Sequence, residues 1–383
     1  MNSCRFVTGQ TLALTALSVG LSAGAAAPAA APAKSPSAPA FIQGIHTSAP
    51  GKRELPLALQ FVHECLAKEG VNAWVVEFNT RFDFQSRPEF ADPKALNRND
   101  VRRLLAACRE HGIELIPMIN CLGHQSWGKR NGRLLEKHPE FDETPGKFPG
   151  NEGIYCRSWC PRHPRVHEAV FALMDELIAA CEARSFHVGM DEVFILADPD
   201  CPRCKGMAPA ALFAEEVHRL HDHLQGRGCR MWMWGDRFLD GEKTGLGKWE
   251  ASLNHTWPAI DAAPRDLVIC DWHYNRAPDT PRFFAERGFH VVASPWRKPS
   301  VALAQLKIMR ELAENPAFRD RTLGMLQTTW CGMAPFFRAW QAWESGKPAG
   351  KGAAAESARC FRELFQALRK KPVRRKPAAK PAD

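Results

Sequence analysis

Eight short runs of strand-forming residues recur along the chain at fairly even intervals, separated by segments whose apolar residues fall at helical spacing. They are Phe41–Thr47, Ala73–Asn79, Glu114–Asn120, Ser185–Asp191, Arg230–Asp236, Leu267–Tyr274, His290–Trp296 and Thr322–Trp330. A strand cannot bury both faces alone, and a helix between consecutive strands forces parallel pairing. This alternation predicts an α/β chain whose eight parallel strands close into a (β/α)₈ TIM barrel. An open doubly wound sheet of dinucleotide type would need a Gly-rich turn after its first strand. The segment after the first run here, SAPGKRELP, has a single Gly, which disfavours that alternative.

The intervening segments carry the expected punctuation. ELPLALQFVHECLAKEG is closed by Gly70, and NRNDVRRLLAACREHG opens on Asn/Asp capping chemistry and stops at Gly112. Further helices fit Val166–Ala183, the ALFAEEVHRLHDHLQGRG segment, Pro281–Gly288, Val301–Glu314 and Ser357–Leu368. A composition of 45% hydrophobic and 24% charged residues over 383 positions is that of a folded chain with a large core.

The formal charge of +9 first points to nucleic acid or an anionic surface. Its placement removes most of that signal. Residues 1–27 have the layout of a signal peptide, with Arg5, then an uncharged stretch, then small-residue cleavage sites around Ala25. Residues 28–40 read as an Ala/Pro-rich linker, 41–369 as a single barrel domain, and 370–383 as a disordered basic tail. The body then carries only about +2, and no nucleic-acid motif stands in it. The expected location is secreted or periplasmic. No transmembrane segment is expected, and the tail is free to touch an anionic cell surface.

In a barrel of this kind the chemistry gathers at the C-terminal ends of the strands. Those ends are rich in polar and aromatic groups here. They offer Glu77 and Asn79, then Asn120 and His124, then His187, Asp191 and Glu192. Trp234 and Asp236 follow, then Asp271, Trp272 and Tyr274, then Trp296, then Trp330. Flat aromatic faces beside hydrogen-bonding side chains suit the apolar and polar faces of a sugar ring. Asp191 and Glu192 follow an apolar strand, where burial and mutual repulsion set two carboxyls apart as donor and anion. Adjacent carboxylates do not easily flank one glycosidic bond, which implies a division of labour other than the usual one.

FHVGMDEV resembles the His-x-Gly-Gly/Ala-Asp-Glu signature of glycoside hydrolase family 20, the β-N-acetylhexosaminidases. IPMINCLGHQS and WCPRHPRVHEAVFALMDELI are similar to the family's segments leading up to it. The resemblance implies a (β/α)₈ barrel and substrate-assisted retaining hydrolysis of terminal N-acetylglucosamine or N-acetylgalactosamine. It implies that Asp191 orients the acetamido group and that Glu192 is general acid and base. It makes His124, Trp234, Asp236, Asp271, Trp272, Tyr274, Trp296 and Trp330 the substrate-binding candidates. His187 is read as structural. The chain departs from the pattern at Met190, in having no Tyr-x-Asp near the seventh strand, and in lacking a Glu after Trp330. Tyr274 is the candidate to supply the missing hydroxyl. Alternatives are a carbohydrate-binding barrel without turnover, and a glycosidase for a non-acetylated sugar pairing Glu192 with Glu77 or Asp271.

Of 13 cysteines, Cys201-Pro-Arg-Cys204 and Cys156-x₃-Cys160 stand out as local disulfides or as a four-thiolate zinc set. The proposed chemistry needs neither cofactor nor metal, and none is expected.

Overall fold

The computed structural model describes residues 41–370. The signal, linker and all but the first residue of the tail segment lie outside the described residues. The eight expected strands are all present: β1 (Ile42–Ser48), β2 (Ala73–Glu77), β3 (Glu114–Cys121), β4 (Ser185–Gly189), β5 (Arg230–Trp234), β6 (Val268–Trp272), β7 (His290–Ser294) and β8 (Thr322–Thr328). Each pairs with its sequence neighbours, and β8 returns to β1 to close the barrel. All barrel pairings are parallel. Ile45 of β1 faces Trp74 of β2 on one side and Gln327 of β8 on the other.

Period-two alternation sorts the strand residues into two cores. Val75, Ile116, Met118, Trp232, Trp234, Val268, Cys270, Val292 and Leu326 fill the barrel interior. Trp74, Val76, Phe186, Val188, Met231, Met233, Ile269 and Met325 face outward and pack under the helices.

The helix after β1 runs from Leu55 to Glu69, widens to a π-helical turn over Phe61–Leu66, and ends at Gly70 with φ +79°. Helix Arg98–Glu110 starts at a reciprocal cap. The Asn97 side chain accepts the Asp100 N–H at 2.9 Å and the Asp100 carboxylate accepts the Asn97 N–H at 3.1 Å. Such a cap stabilises the helix by about 1 kcal/mol. Helices Val166–Cys181, Pro209–Gly226, Thr280–Glu286 and Pro299–Glu314 follow β3, β4, β6 and β7.

The alternation departs from regularity at two places. Between β5 and β6 the chain makes only 3₁₀ turns, of which Trp257–Asp261 packs against helix Pro209–Gly226. After β8 there are two helices, Met333–Glu344 and Ala353–Arg369, packed on each other. No described helix is long and apolar enough to cross a membrane.

Candidate active site

The strand ends open into one cleft of about 850 Å³. Asp191 and Glu192 stand in it on the turn that leaves β4. The backbone there is tightly wound: Gly189 and Met190 both have φ +69° and Glu192 has φ +49°. Left-handed conformations at non-glycine residues are costly and persist where the surroundings hold them. A Cβ on Gly189 would come within 2.8 Å of Asn120 Oδ1, and one on Gly123 within 2.7 Å of the Asp191 carbonyl. Both glycines let the β3 loop and the β4 turn approach backbone to backbone.

Two groups hold the turn from opposite sides. From the β3 loop, His124 Nε2 lies 3.3 Å from Asp191 Oδ2 and 3.2 Å from Glu192 Oε2. Burial works against the imidazolium. The Asp191 charge and the hydrogen bonds to Asp191 and Glu192 outweigh it and hold His124 well above its ordinary value. From the 3₁₀ turn that follows β5, Asp236 Oδ2 accepts the Glu192 backbone N–H at 3.0 Å and the Arg237 Nε–H at 2.7 Å, and Oδ1 accepts the Trp272 indole N–H at 3.2 Å. Arg237 is itself buried and donates to the Lys248 carbonyl at 2.8 Å. The Asp191 Oδ1 atom is buried and has no hydrogen-bond partner among the described residues.

Beside the pair, Glu77 Oε1 accepts from the Asn79 and Asn120 amides, each at 2.8 Å. Burial pushes the Glu77 carboxyl up, but the hydrogen bond and charge of His46, then the charge of His124, leave it below its usual value.

One wall of the cleft is aromatic. Trp272 and Tyr274 lie with ring centroids 4.9 Å apart, and Tyr274 and Trp296 5.3 Å apart. Trp330 donates its indole N–H to the Tyr274 hydroxyl at 2.6 Å. Burial raises the Tyr274 hydroxyl well above its ordinary value, so it remains a donor. Trp272, Tyr274, Trp296, Trp330, His124, Asp191 and Glu192 are thus brought to one cleft.

Three of the sequence candidates lie elsewhere. Trp234 is fully buried in the barrel interior, 4.5 Å from the His187 ring and 5.8 Å from that of Trp330. It underlies the wall and offers no face to a sugar. Asp271 alternates with Cys270 and Trp272, so its side chain shares the outward face with Ile269. There it accepts from the Thr280 hydroxyl at 2.7 Å and lies 3.0 Å from His273 Nε2. Asp236 is buried behind Glu192 and spends its oxygens on the contacts above, so it positions the turn. His187 is structural: buried, its Nδ1 accepts the Gly189 N–H at 3.0 Å, and burial keeps it neutral.

Sequence reasoning missed Tyr155, Trp249 and Glu250 on the opposite wall. Tyr155, Trp249, Trp127 and Glu250 line the cleft from long connections without periodicity. Tyr155 packs at 5.0 Å from the Trp249 ring and 6.1 Å from that of Trp127. Burial, then the Glu192 charge, pushes its hydroxyl up to about 12. Its loop is pinned by buried Arg157, which pairs with Asp142 and donates to the Lys147 carbonyl at 2.7 Å. Trp127 sits on a small hairpin, Ser126–Trp127 against Arg130–Asn131, and is 72% exposed. Glu250 is held by its own partners, Oε2 lying 2.9 Å from His273 Nδ1 and Oε1 accepting the Tyr274 N–H at 3.2 Å.

Among known proteins, the model of the glycosyl hydrolase family 20 catalytic domain matches residues 73–305. A beta-hexosaminidase of Vibrio furnissii is 23% identical over 263 residues, 61% of this chain and 39% of that protein. A lacto-N-biosidase of Bifidobacterium bifidum is 23% identical over 185 residues, covering 45% of this chain and 15% of its own length. The chain therefore spans less than half the length of these curated relatives. In three dimensions it is similar to a chitobiase of Flavobacterium johnsoniae, with TM-score 0.58 at 16% identity over 86% of this chain and 51% of the other. A beta-N-acetylhexosaminidase from Bacteroides fragilis gives TM-score 0.53 at 15% identity over 83% and 66% of the two chains. These structural likenesses show the shared barrel, and the family match, which spans more than half of the sequence, shows the lineage: the chain belongs to glycosyl hydrolase family 20.

Proposed function

We propose that the chain is an exo-acting β-N-acetylhexosaminidase that releases terminal N-acetylglucosamine or N-acetylgalactosamine by substrate-assisted, retaining catalysis. The observation that carries this reading is the buried, unpartnered Oδ1 of Asp191 beside Glu192. An amide N–H of a bound 2-acetamido group would satisfy it and so turn the acetamido oxygen toward the anomeric carbon. That oxygen attacks, and Glu192 gives its proton to the leaving oxygen. Glu192 then takes a proton from the water that opens the cyclic intermediate. The substrate supplies the nucleophile, so the two carboxylates have no need to flank the bond. The wall of Trp272, Tyr274, Trp296 and Trp330 supports sugar stacking, and the family match supports the reaction class.

The test is a turnover panel of N-acetyl against non-acetylated β-glycosides, with Glu192→Gln as control. Turnover confined to N-acetyl substrates and lost in the control is the expected result. A second reading rests on Glu77, which lines the same cleft and is held below its usual carboxyl value. It would act as nucleophile opposite Glu192, and equal turnover of sugars lacking the acetamido group would establish it. Sugar binding without turnover on every substrate would leave a binding barrel. Export to periplasm or medium rests on residues 1–27 and predicts a mature N-terminus near residue 28. Deleting residues 370–383 should weaken adhesion to anionic vesicles and leave turnover unchanged.

A further inference from the structure

Away from the residues that line the cleft, four side chains of metal-ligand type converge. The carboxylate of Glu143 and the thiols of Cys160, Cys201 and Cys204 all lie within 4.8 Å of one another, and all four residues are buried. Cys160 Sγ is 3.3 Å from Cys204 Sγ and 3.7 Å from Cys201 Sγ, and Cys201 Sγ is 3.3 Å from Glu143 Oε2. A disulfide requires about 2.05 Å, and the three cysteines are free thiols. Sulfurs bound at about 2.3 Å to a tetrahedral zinc ion stand about 3.8 Å apart along the tetrahedron's edges. The observed separations approach that spacing.

The sequence context fits as well. Cys201-Pro-Arg-Cys204 is a two-residue-spaced thiol pair on one tight turn, the spacing that presents two sulfurs to one ion. Glu143 adds an independent indication. Its side chain is fully buried, one oxygen accepting the Asp198 N–H at 3.3 Å and the other facing the Cys201 thiol. Among the described residues no Lys, Arg or His pairs with it. A carboxylate buried against three thiols without a cation is costly, and a divalent ion at the centre of the four atoms removes that cost. The nearby cation, Arg203, donates from Nε to Cys160 Sγ at 3.3 Å and from Nη2 to the Glu140 carbonyl at 3.0 Å. It offsets part of the negative charge that three thiolates and a carboxylate leave around one Zn²⁺.

We propose that Glu143, Cys160, Cys201 and Cys204 bind one Zn²⁺ in a closed structural site. Four protein ligands leave no open position for substrate or water, which separates it from catalytic zinc. Binding releases the thiol protons to solvent, with no change in oxidation state. Glu143 and Cys160 come from the long β3 connection that carries His124 and Tyr155. Cys201 and Cys204 come from the β4 connection that carries Asp191 and Glu192. The ion therefore staples together the two connections that meet at the cleft, beside the ion pair of Lys147 with Asp198 at 2.9 Å. Cys156 is excluded from the set, since its Sγ lies 3.5 Å from the Glu192 carbonyl on the catalytic turn. Glu143 takes the place that a four-thiolate grouping of the sequence would give to Cys156, and the expectation of a metal-free fold is revised.

The test uses the full chain, purified without a polyhistidine tag or chelator, and its metal content is measured by elemental mass spectrometry. The expected result is on the order of one zinc per chain. Reconstitution with Co²⁺ should give the thiolate charge-transfer and d–d bands of tetrahedral cobalt. Glu143→Gln should weaken zinc in a competitive dye titration by at least ~100-fold, since losing a direct ligand exceeds the loss of an outer-shell partner. Cys156→Ser should keep its zinc. The proposal is overturned if the reduced wild-type chain neither contains nor takes up zinc or cobalt. It is also overturned if peptide mapping of the native protein finds a Cys160–Cys204 disulfide, or if Cys156→Ser loses the metal that Glu143→Gln retains. Should Glu143→Gln fail to fold, the cobalt spectrum of the wild type decides alone.

Discussion

His124 Nε2 bridges the two adjacent carboxylates, 3.3 Å from Asp191 Oδ2 and 3.2 Å from Glu192 Oε2. This fixes both acids against one cation and orients each relative to the other. His124→Gln should lower kcat on a chromogenic N-acetyl-β-glucosaminide by about 100-fold, within the range of proton-transfer machinery. Because His124 is held well above its ordinary value, the wild-type rate should show no inflection near pH ~6.5, where a free histidine titrates. A clear inflection there, absent in the variant, would contradict the bridge.

Asp236 touches no cleft surface but holds the Glu192 backbone and the Trp272 indole together. Asp236→Asn should lower kcat and leave KM for a small substrate nearly unchanged. Asp236→Ala strands Arg237 in the interior without its carboxylate and should cost about 3–5 kcal/mol of stability, read by denaturant unfolding. A variant that changes KM alone would instead make Asp236 a sugar contact.

Trp330 is half-exposed at the cleft and tied to Tyr274 through its indole N–H. Trp330→Phe keeps an aromatic face and loses that hydrogen bond, whereas Trp330→Ala loses both. KM should rise in the order wild type, Phe, Ala, with about tenfold between the ends, equivalent to about 1.4 kcal/mol of binding. Steady-state kinetics with substrate spanning the KM of each variant checks the order.

His273 supplies a pH-dependent part of the stability. Burial disfavours its charge, but Asp271, then Glu250, outweigh burial and push it up to about 9. A raised value means that protonation favours the folded state. The contribution is complete below the unfolded value of about 6.5 and is lost as pH climbs from there through about 9, with an upper size on the order of 3 kcal/mol. His273→Gln should therefore melt well below wild type at pH 6 and approach it above pH 9. A gap that is constant with pH would mean that His273 stabilises the fold through contacts that do not depend on its charge.

The barrel was legible because each strand combines β-branched or apolar runs with a bounded length, and all eight fall where that pattern places them. Helix Met333–Glu344 was not among the segments read as helical; its Pro335 sits in the first turn, where a proline leaves no helical hydrogen bond unmade. In the site, Asp191, Glu192 and the aromatics Trp272, Trp296 and Trp330 were legible from their place at strand ends. Asp271 was misplaced by reading proximity without parity: one residue along a strand is the opposite face. Trp234 failed for a related reason, since it points inward but stops one layer below the opening. Tyr155 and Trp249 lie on connections whose path only tertiary contacts fix, and Glu143 stands alone in FDETPG with no spacing to mark it.

The hairpin Ser126–Trp127 with Arg130–Asn131 contributes no strand to the barrel, yet it lifts Trp127 onto the lip of the cleft. Ser126 Oγ accepts the Arg157 N–H at 2.9 Å and the Gly128 carbonyl accepts from the Asn151 amide at 3.1 Å, so the lip shares its anchorage with the loop that carries Tyr155, and a change in one shifts the other.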